Sequence, residues 1–185
     1  MTPARIAHSE RLIVVVGPSG AGKDSVLREW QRHLAAHVPM HFARRVIDRP
    51  ASSGGEAHEA VSPGEFARLL GAGALATAWQ ANGLHYGVRH GELHPLARGG
   101  WVVMNGSRAN LPQLRMQAPA LHAVMITASA ELLAARLKAR GRERGAALAG
   151  RLQRRVDSLA DVVIDNSGDL SAAVMALQRW WAGLR

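Results

Sequence analysis

Gly17, Pro18, Ser19, Gly20, Ala21, Gly22 and Lys23 stand between an apolar run, Leu12 to Val16, and a helix-forming stretch that begins at Asp24 and Ser25. The spacing Gly-x4-Gly-Lys is that of a phosphate-binding loop. Glycines let successive backbone N–H groups curl around a polyphosphate, the helix start adds positive potential, and the lysine reaches the β and γ phosphates. One letter departs from the usual pattern. Where a serine or threonine would ligate Mg²⁺ the chain has Asp24, and Ser25 comes one place late, so the metal site is expected to differ from that of an ordinary loop of this kind.

Two further groups of side chains could do chemistry. Arg136, Arg140, Arg142, Arg144, Arg151, Arg154 and Arg155 form a late basic stretch. Cations of this kind, brought down on a transferred phosphoryl group, exclude water and neutralise its equatorial oxygens, which is the work of a lid over about residues 140–155. A solvated basic helix would have the same composition. Earlier, Arg45 and Arg49 could make forked bonds to a substrate phosphate, and Tyr86 could add a hydroxyl donor. Glu56 and His58 lie in a glycine-rich loop beside them. Each of these side chains is equally at home as a surface group.

Alternating strands and helices must hold these residues. Leu12–Val16 reads as a buried parallel strand, followed by a helix from Gly22 to about Ala36. One short strand is expected over Met40–Val46 and a loop over Asp48–Gly55. Ser62 and Glu65 form a capping box with Pro63 at the first helical position, so a helix should run to about Leu70. Leu75–Gln80 and His85–Val88 make a hairpin around Asn82-Gly83. Trp101–Met104 is a further strand, and a helix starts near Pro112 with Asn110 as its expected cap. Leu121–Ile126 is a strand, Ser129–Arg140 a helix, Asp161–Ile164 a last strand and Leu170–Leu184 a closing amphipathic helix. Trp180 and Trp181 in that helix are expected to pack rather than bind. This order predicts an α/β fold, a doubly wound parallel sheet with ligand at the carboxyl ends of its strands.

Length and composition bound the reading. A chain of 185 residues fits one domain, here with an acceptor-binding insert over about residues 44–90. There is no cysteine, which excludes disulfides, thiolate metal sites and cysteine nucleophiles and fits a reducing cytoplasm. Five apolar residues before Gly17 are too few for a signal segment or a membrane span, so a cytoplasmic protein without a membrane partner is expected. The formal charge of +9 raises nucleic acid as a partner. With one tyrosine and two phenylalanines the chain lacks the aromatic interleaving of a single-strand binder, so nucleic acid is not expected.

Several runs carry a resemblance. Gly17 to Lys23, the tract Arg45, Arg49 and Glu56 followed by Ser62 to Phe66, Tyr86-Gly87, Arg136-x3-Arg140-Gly141 and Ile164-Asp165-Asn166 resemble the guanylate-kinase-like branch of phosphate-loop kinases. Gly22 to Ser25, Trp79 to Val88, Val102 to Pro112 and Arg140 to Glu143 resemble, more narrowly, the ribose 1,5-bisphosphate phosphokinase family of phosphonate catabolism. The resemblance spans Leu12 to Leu184. It departs from guanylate kinases where a guanine would be read. After Glu56 the run His58-Glu59-Ala-Val-Ser62 lacks their tyrosine, and Asn105-Gly-Ser stands where they carry aspartates. An unpaired buried donor costs about 1 to 3 kcal/mol, so these changes weaken guanine recognition and suit a phosphorylated sugar.

The resemblance implies a kinase of the nucleoside-monophosphate-kinase type that uses ATP and Mg²⁺ to convert ribose 1,5-bisphosphate to 5-phosphoribosyl 1-diphosphate and ADP. It implies that Gly17 to Ser25 hold the triphosphate, with Lys23 on the transferred and β phosphates and Asp24 on the metal. Arg45, Arg49, Glu56, Tyr86 and Arg108 become acceptor-binding candidates, Arg140 and Arg151 the lid arginines, and Asn166 a neighbour of the adenine or a simple turn residue. The rivals are a guanylate or other nucleoside monophosphate kinase and a non-catalytic binding module. Oligomeric state and selectivity between ATP and GTP are open at this point.

Overall fold

The computed structural model describes residues 5–50, 57–139 and 159–184. Glu56, Arg140 and Arg151, with most of the expected lid, lie outside the described residues. Nine strands are described: β1 (Leu12–Val16), β2 (Met40–Phe42), β3 (Arg45–Ile47), β4 (Glu59–Ala60), β5 (Leu75–Ala81), β6 (Leu84–Arg89), β7 (Trp101–Asn105), β8 (His122–Thr127) and β9 (Val162–Asp165). The α-helices are α1 (Lys23–His33), α2 (Pro63–Gly71), α3 (His90–Ala97), α4 (Leu111–Gln117), α5 (Ala130–Ala139) and α6 (Leu170–Ala182). Five strands form a parallel sheet in the order β2-β7-β1-β8-β9, and four form a second sheet in the order β4-β3-β6-β5. This is the expected α/β class. No described helix is long and apolar enough to cross a membrane.

The chain divides into two compact units. The first comprises residues 1–14 and 37–122. Its second sheet is mixed, with β3 antiparallel to β6, β5 antiparallel to β6 and β4 parallel to β3. Asn82 and Gly83, at φ of 51° and 75°, make the tight turn of the hairpin, because both central positions need the left-handed region that this pair tolerates best. The amide of Glu65 donates to Ser62 Oγ at 3.2 Å and starts α2 as its capping residues predict. That helix lays Phe66 into a small core with Val46 and Leu75.

Two expectations fail in this unit. The single strand over Met40–Val46 is two strands in two sheets. The Ala43 amide still donates to Val103 O of β7 at 2.8 Å, but the next amide, of Arg44, donates to the Glu92 carboxylate at 2.9 Å, and the chain leaves the first sheet to pair Arg45 with Val88. Glu92 belongs to α3, which the sequence does not announce: Gly91 and Pro95 read as breakers and no side chain caps its start. Long-range bonds hold it instead, since Glu92 also binds the His41 ring at 2.6 Å. Asn110 does not cap α4 with its side chain; it sits in helical backbone at the end of a 3-10 turn, buried.

The second unit comprises residues 15–36 and 123–185. Here α1 and α6 pack through Trp30 and Trp181, ring centroids 5.9 Å apart at 72°, in the edge-on arrangement that aromatic quadrupoles favour. Trp30 Nε1 donates to Gln178 Oε1 of α6 at 2.6 Å. Ala173, Val174, Leu177 and Trp181 form the buried stripe of α6. Trp181 is therefore core, as expected of it, while Trp180 is half-buried.

Candidate functional site

Two sets of side chains carry the candidate chemistry, one in each unit. In the second unit the chain leaves β1 at Gly17 and starts α1 at Lys23. Gly17 has φ of 151°, and a Cβ there would run into the Ile126 carbonyl of β8. Only glycine lets the loop pass so close to the neighbouring strand. Gly22, the residue before α1, has φ of 84°, left-handed, and its missing Cβ leaves room for the Asn166 side chain.

The loop's carbonyls are collected by cationic and amide groups. Lys23 Nζ donates to Gly17 O at 3.0 Å and Pro18 O at 3.1 Å. Arg136 Nη1, from α5, donates to Gly20 O at 3.1 Å. Asn166 Nδ2, from the residue after β9, donates to Ala21 O at 2.8 Å in a buried bond. With these carbonyls engaged and α1 starting directly after it, the loop can present N–H groups and a helix N-terminus to an anion. Asp24 lies half-buried in the first turn of α1, and Ser25 is exposed. Arg136, grouped with the lid arginines on sequence, thus bonds the loop itself; its partner is 116 residues away along the chain and no local signal gives it.

In the first unit Arg45 opens β3 and Tyr86 lies in β6. The two meet: Arg45 Cζ is 5.0 Å from the Tyr86 ring centroid, within cation–π range. The Tyr86 ring in turn stacks on Trp79, centroids 5.6 Å apart and planes 9° apart. Arg49 is half-buried just past β3; its carbonyl accepts from His58 Nε2 at 3.2 Å, and its buried Nε has no hydrogen-bond partner among the described residues. Arg108 is half-buried in the 3-10 turn that follows β7.

An ion pair and a carboxylate–imidazole contact that the sequence does not single out brace this set. Arg89 makes a two-pronged bond to Glu59, Nε to Oε2 at 2.8 Å and Nη2 to Oε1 at 2.6 Å. That fork holds the Glu59 carboxyl below its ordinary range, against the opposing effect of burial, and raises the Arg89 guanidinium. Asp48, next to Arg49, accepts from the His85 amide at 2.7 Å and binds His85 Nδ1 at 2.7 Å. Burial pushes the Asp48 carboxyl up; the His85 ring and amide together outweigh it and leave the group lowered. The pair ties the end of β3 to β6 and fixes which His85 nitrogen faces the carboxylate.

No family model matches the chain. A ribose 1,5-bisphosphate phosphokinase PhnN from Rhizobium etli is 43% identical over 173 residues, covering 90% of this chain and 88% of the relative. Another, from Janthinobacterium sp. (strain Marseille), is 46% identical over 174 residues and covers 91% of this chain; the chain spans 38% of that relative's length. Among solved structures, guanylate kinase from Anaplasma phagocytophilum superposes with a TM-score of 0.71 over 94% of this chain and 84% of its own, at 19% identity, a likeness of fold alone. A phosphate loop on this fold, joined to identity of this extent across nearly the whole of a relative's length, decides the family: the chain belongs to the ribose 1,5-bisphosphate phosphokinases.

Proposed function

We propose that the chain transfers the γ-phosphoryl group of ATP to the 1-phosphate of ribose 1,5-bisphosphate, giving ADP and 5-phosphoribosyl 1-diphosphate. The observation that carries this reading is the 43% identity with a named phosphokinase over 90% of the chain. An oxygen of the 1-phosphate attacks the γ-phosphorus, the bond to the β–γ bridging oxygen breaks, and ADP leaves with that electron pair. The acceptor is already ionised near neutral pH, so the reaction needs no general base. Catalysis is positioning and charge neutralisation.

The proposal gives each candidate side chain a role. Lys23, held at the loop by two carbonyl bonds, exchanges them for β and γ phosphate oxygens. Arg45 and Arg49 bring guanidinium groups to the acceptor phosphates, Tyr86 orients Arg45 through its ring, and Arg108 adds a further cation. Glu56, Arg140 and Arg151 keep the acceptor and lid roles that the resemblance implies for them. Asn105 and the residues after it replace the carboxylates that a guanine would require. Mg²⁺ fits the donor set, since a hard cation that keeps waters and phosphate oxygens needs one or two carboxylates, and Asp24 supplies one beside Lys23. When bound it neutralises charge on the β and γ oxygens.

Phosphorus NMR of a reaction with ATP, Mg²⁺ and ribose 1,5-bisphosphate tests the product. We expect a new diphosphate at C1 appearing in step with ADP, and a loss of about 10²-fold or more in rate for Lys23→Ala at unchanged thermal midpoint. ADP without a C1 diphosphate, or a Lys23→Ala variant as fast as the parent, contradicts the proposal.

A further inference from the structure

We infer that Asn166 is a positioning residue of the phosphate loop and not a reader of the nucleotide base. The inference rests on the loop's binding a polyphosphate, and it assigns the bond that fixes the loop's shape. Asn166 is 4% exposed, and its Nδ2 is committed to Ala21 O at 2.8 Å. The backbone of the same residue is pinned from the other side, its amide donating to Thr127 O at the end of β8 at 2.8 Å. The next residue continues the brace: Ser167 Oγ accepts from the Ser129 amide, which precedes α5, at 2.8 Å. The short turn after β9 therefore ties β8, the start of α5 and the phosphate loop together.

The consequence for the loop follows from peptide geometry. A trans peptide points its C=O and N–H in opposite directions, and the described residues include no cis bond. Holding the Ala21 carbonyl on Asn166 therefore aims the Gly22 N–H away from Asn166, on the loop's other side. Arg136 acts in the same sense one peptide earlier, on Gly20 O, while the Ala21 amide closes a turn onto Pro18 O at 3.2 Å. Gly22 is matched to this arrangement. A Cβ on it would stand 2.5 Å from Asn166 Nδ2, so any larger residue there would displace the amide as well as strain a φ of 84°. A side chain 4% exposed, with its Nδ2 bonded to the loop, has little surface left to meet a base and contributes to binding through the loop that holds the phosphates.

Equilibrium binding by calorimetry separates the two roles, with ADP, GDP and inorganic triphosphate as probes of the parent, Asn166→Ala and Asn166→Asp. Asn166→Asp keeps the shape, replaces the donor by an oxygen facing Ala21 O and adds a negative charge, so parental affinity for it would show that the bond does not matter to the loop. We expect both variants to lose the same factor for all three probes, about five- to tenfold for Asn166→Ala and more for Asn166→Asp, at temperatures well below their thermal midpoints. A loss confined to ADP would make Asn166 a base contact and overturn the inference, as would parental affinity in Asn166→Asp. Because the readout is binding, a parent chain that holds all three probes yet fails to phosphorylate the sugar refutes the proposed reaction and leaves this test standing. A parent that binds none of them overturns the loop reading itself.

Discussion

Arg49 shows how a single side chain separates support from substrate contact. Its carbonyl is engaged by His58, while its buried Nε has no partner among the described residues. A buried donor left unpaired costs about 1 to 3 kcal/mol, and an anionic oxygen removes that cost. Arg49→Ala should therefore raise the KM for the sugar acceptor by about tenfold or more while the KM for ATP stays within about twofold; an effect on ATP alone would move Arg49 out of the acceptor set. Among the expected residues, those of the loop were legible because their chemistry is local: glycine spacing, a lysine, a strand before and a helix after. The partners of that loop were not. Asn166 meets Ala21 across 145 residues, and its run Asp-Asn-Ser-Gly reads equally as a turn. Tyr86 was read for its hydroxyl, yet its ring, between Trp79 and the Arg45 guanidinium, carries the contacts seen.

At the scale of elements, the same division between local and distant signals recurs. The hairpin at Asn82-Gly83 and the start of α2 at Ser62 follow from backbone preferences of two to four residues, and both form where expected. The break between β2 and β3 and the helix α3 depend on Glu92 reaching Arg44 and His41 about fifty residues earlier, which no pattern of apolar residues reveals. Such long-range supports are testable through stability. Trp30→Ala removes a fully buried ring from between α1 and α6 and leaves Gln178 Oε1 without its donor; it should destabilise by about 3 to 5 kcal/mol in denaturant unfolding and loosen the helix that carries Lys23. A loss below about 1 kcal/mol would mean that the Trp30–Trp181 contact is not the anchor of α1.

Glu59 and Arg89 give a pH signature for the second sheet. The folded Glu59 carboxyl lies below its ordinary value of 4.5, so its contribution is fully present above that value and is lost as pH falls through the lowered one. The pair is partly exposed, Arg89 at 38% and Glu59 at 26%, which screens it to the order of 1 kcal/mol. Glu59→Gln should accordingly lower the unfolding free energy at neutral pH by about that amount, and the gap to the parent should close on acidification below the ordinary carboxylate range. A gap that is constant with pH would show that the fork contributes through packing and not through charge.

One compact unit of the molecule carries a phosphate loop and its braces, and the other carries guanidinium, aromatic and amide groups. Of the cations behind its charge of +9, the proposed function gives Lys23, Arg45, Arg49, Arg108, Arg140 and Arg151 roles toward phosphate groups. The fold is shared with a guanylate kinase at 19% identity, so the acceptor is decided by side chains and not by the sheet. The most direct test of the account is ADP release by the purified protein with ATP and Mg²⁺, comparing ribose 1,5-bisphosphate with GMP as acceptor. The account predicts turnover on the sugar and none above background on GMP. Turnover on GMP with silence on ribose 1,5-bisphosphate would contradict it.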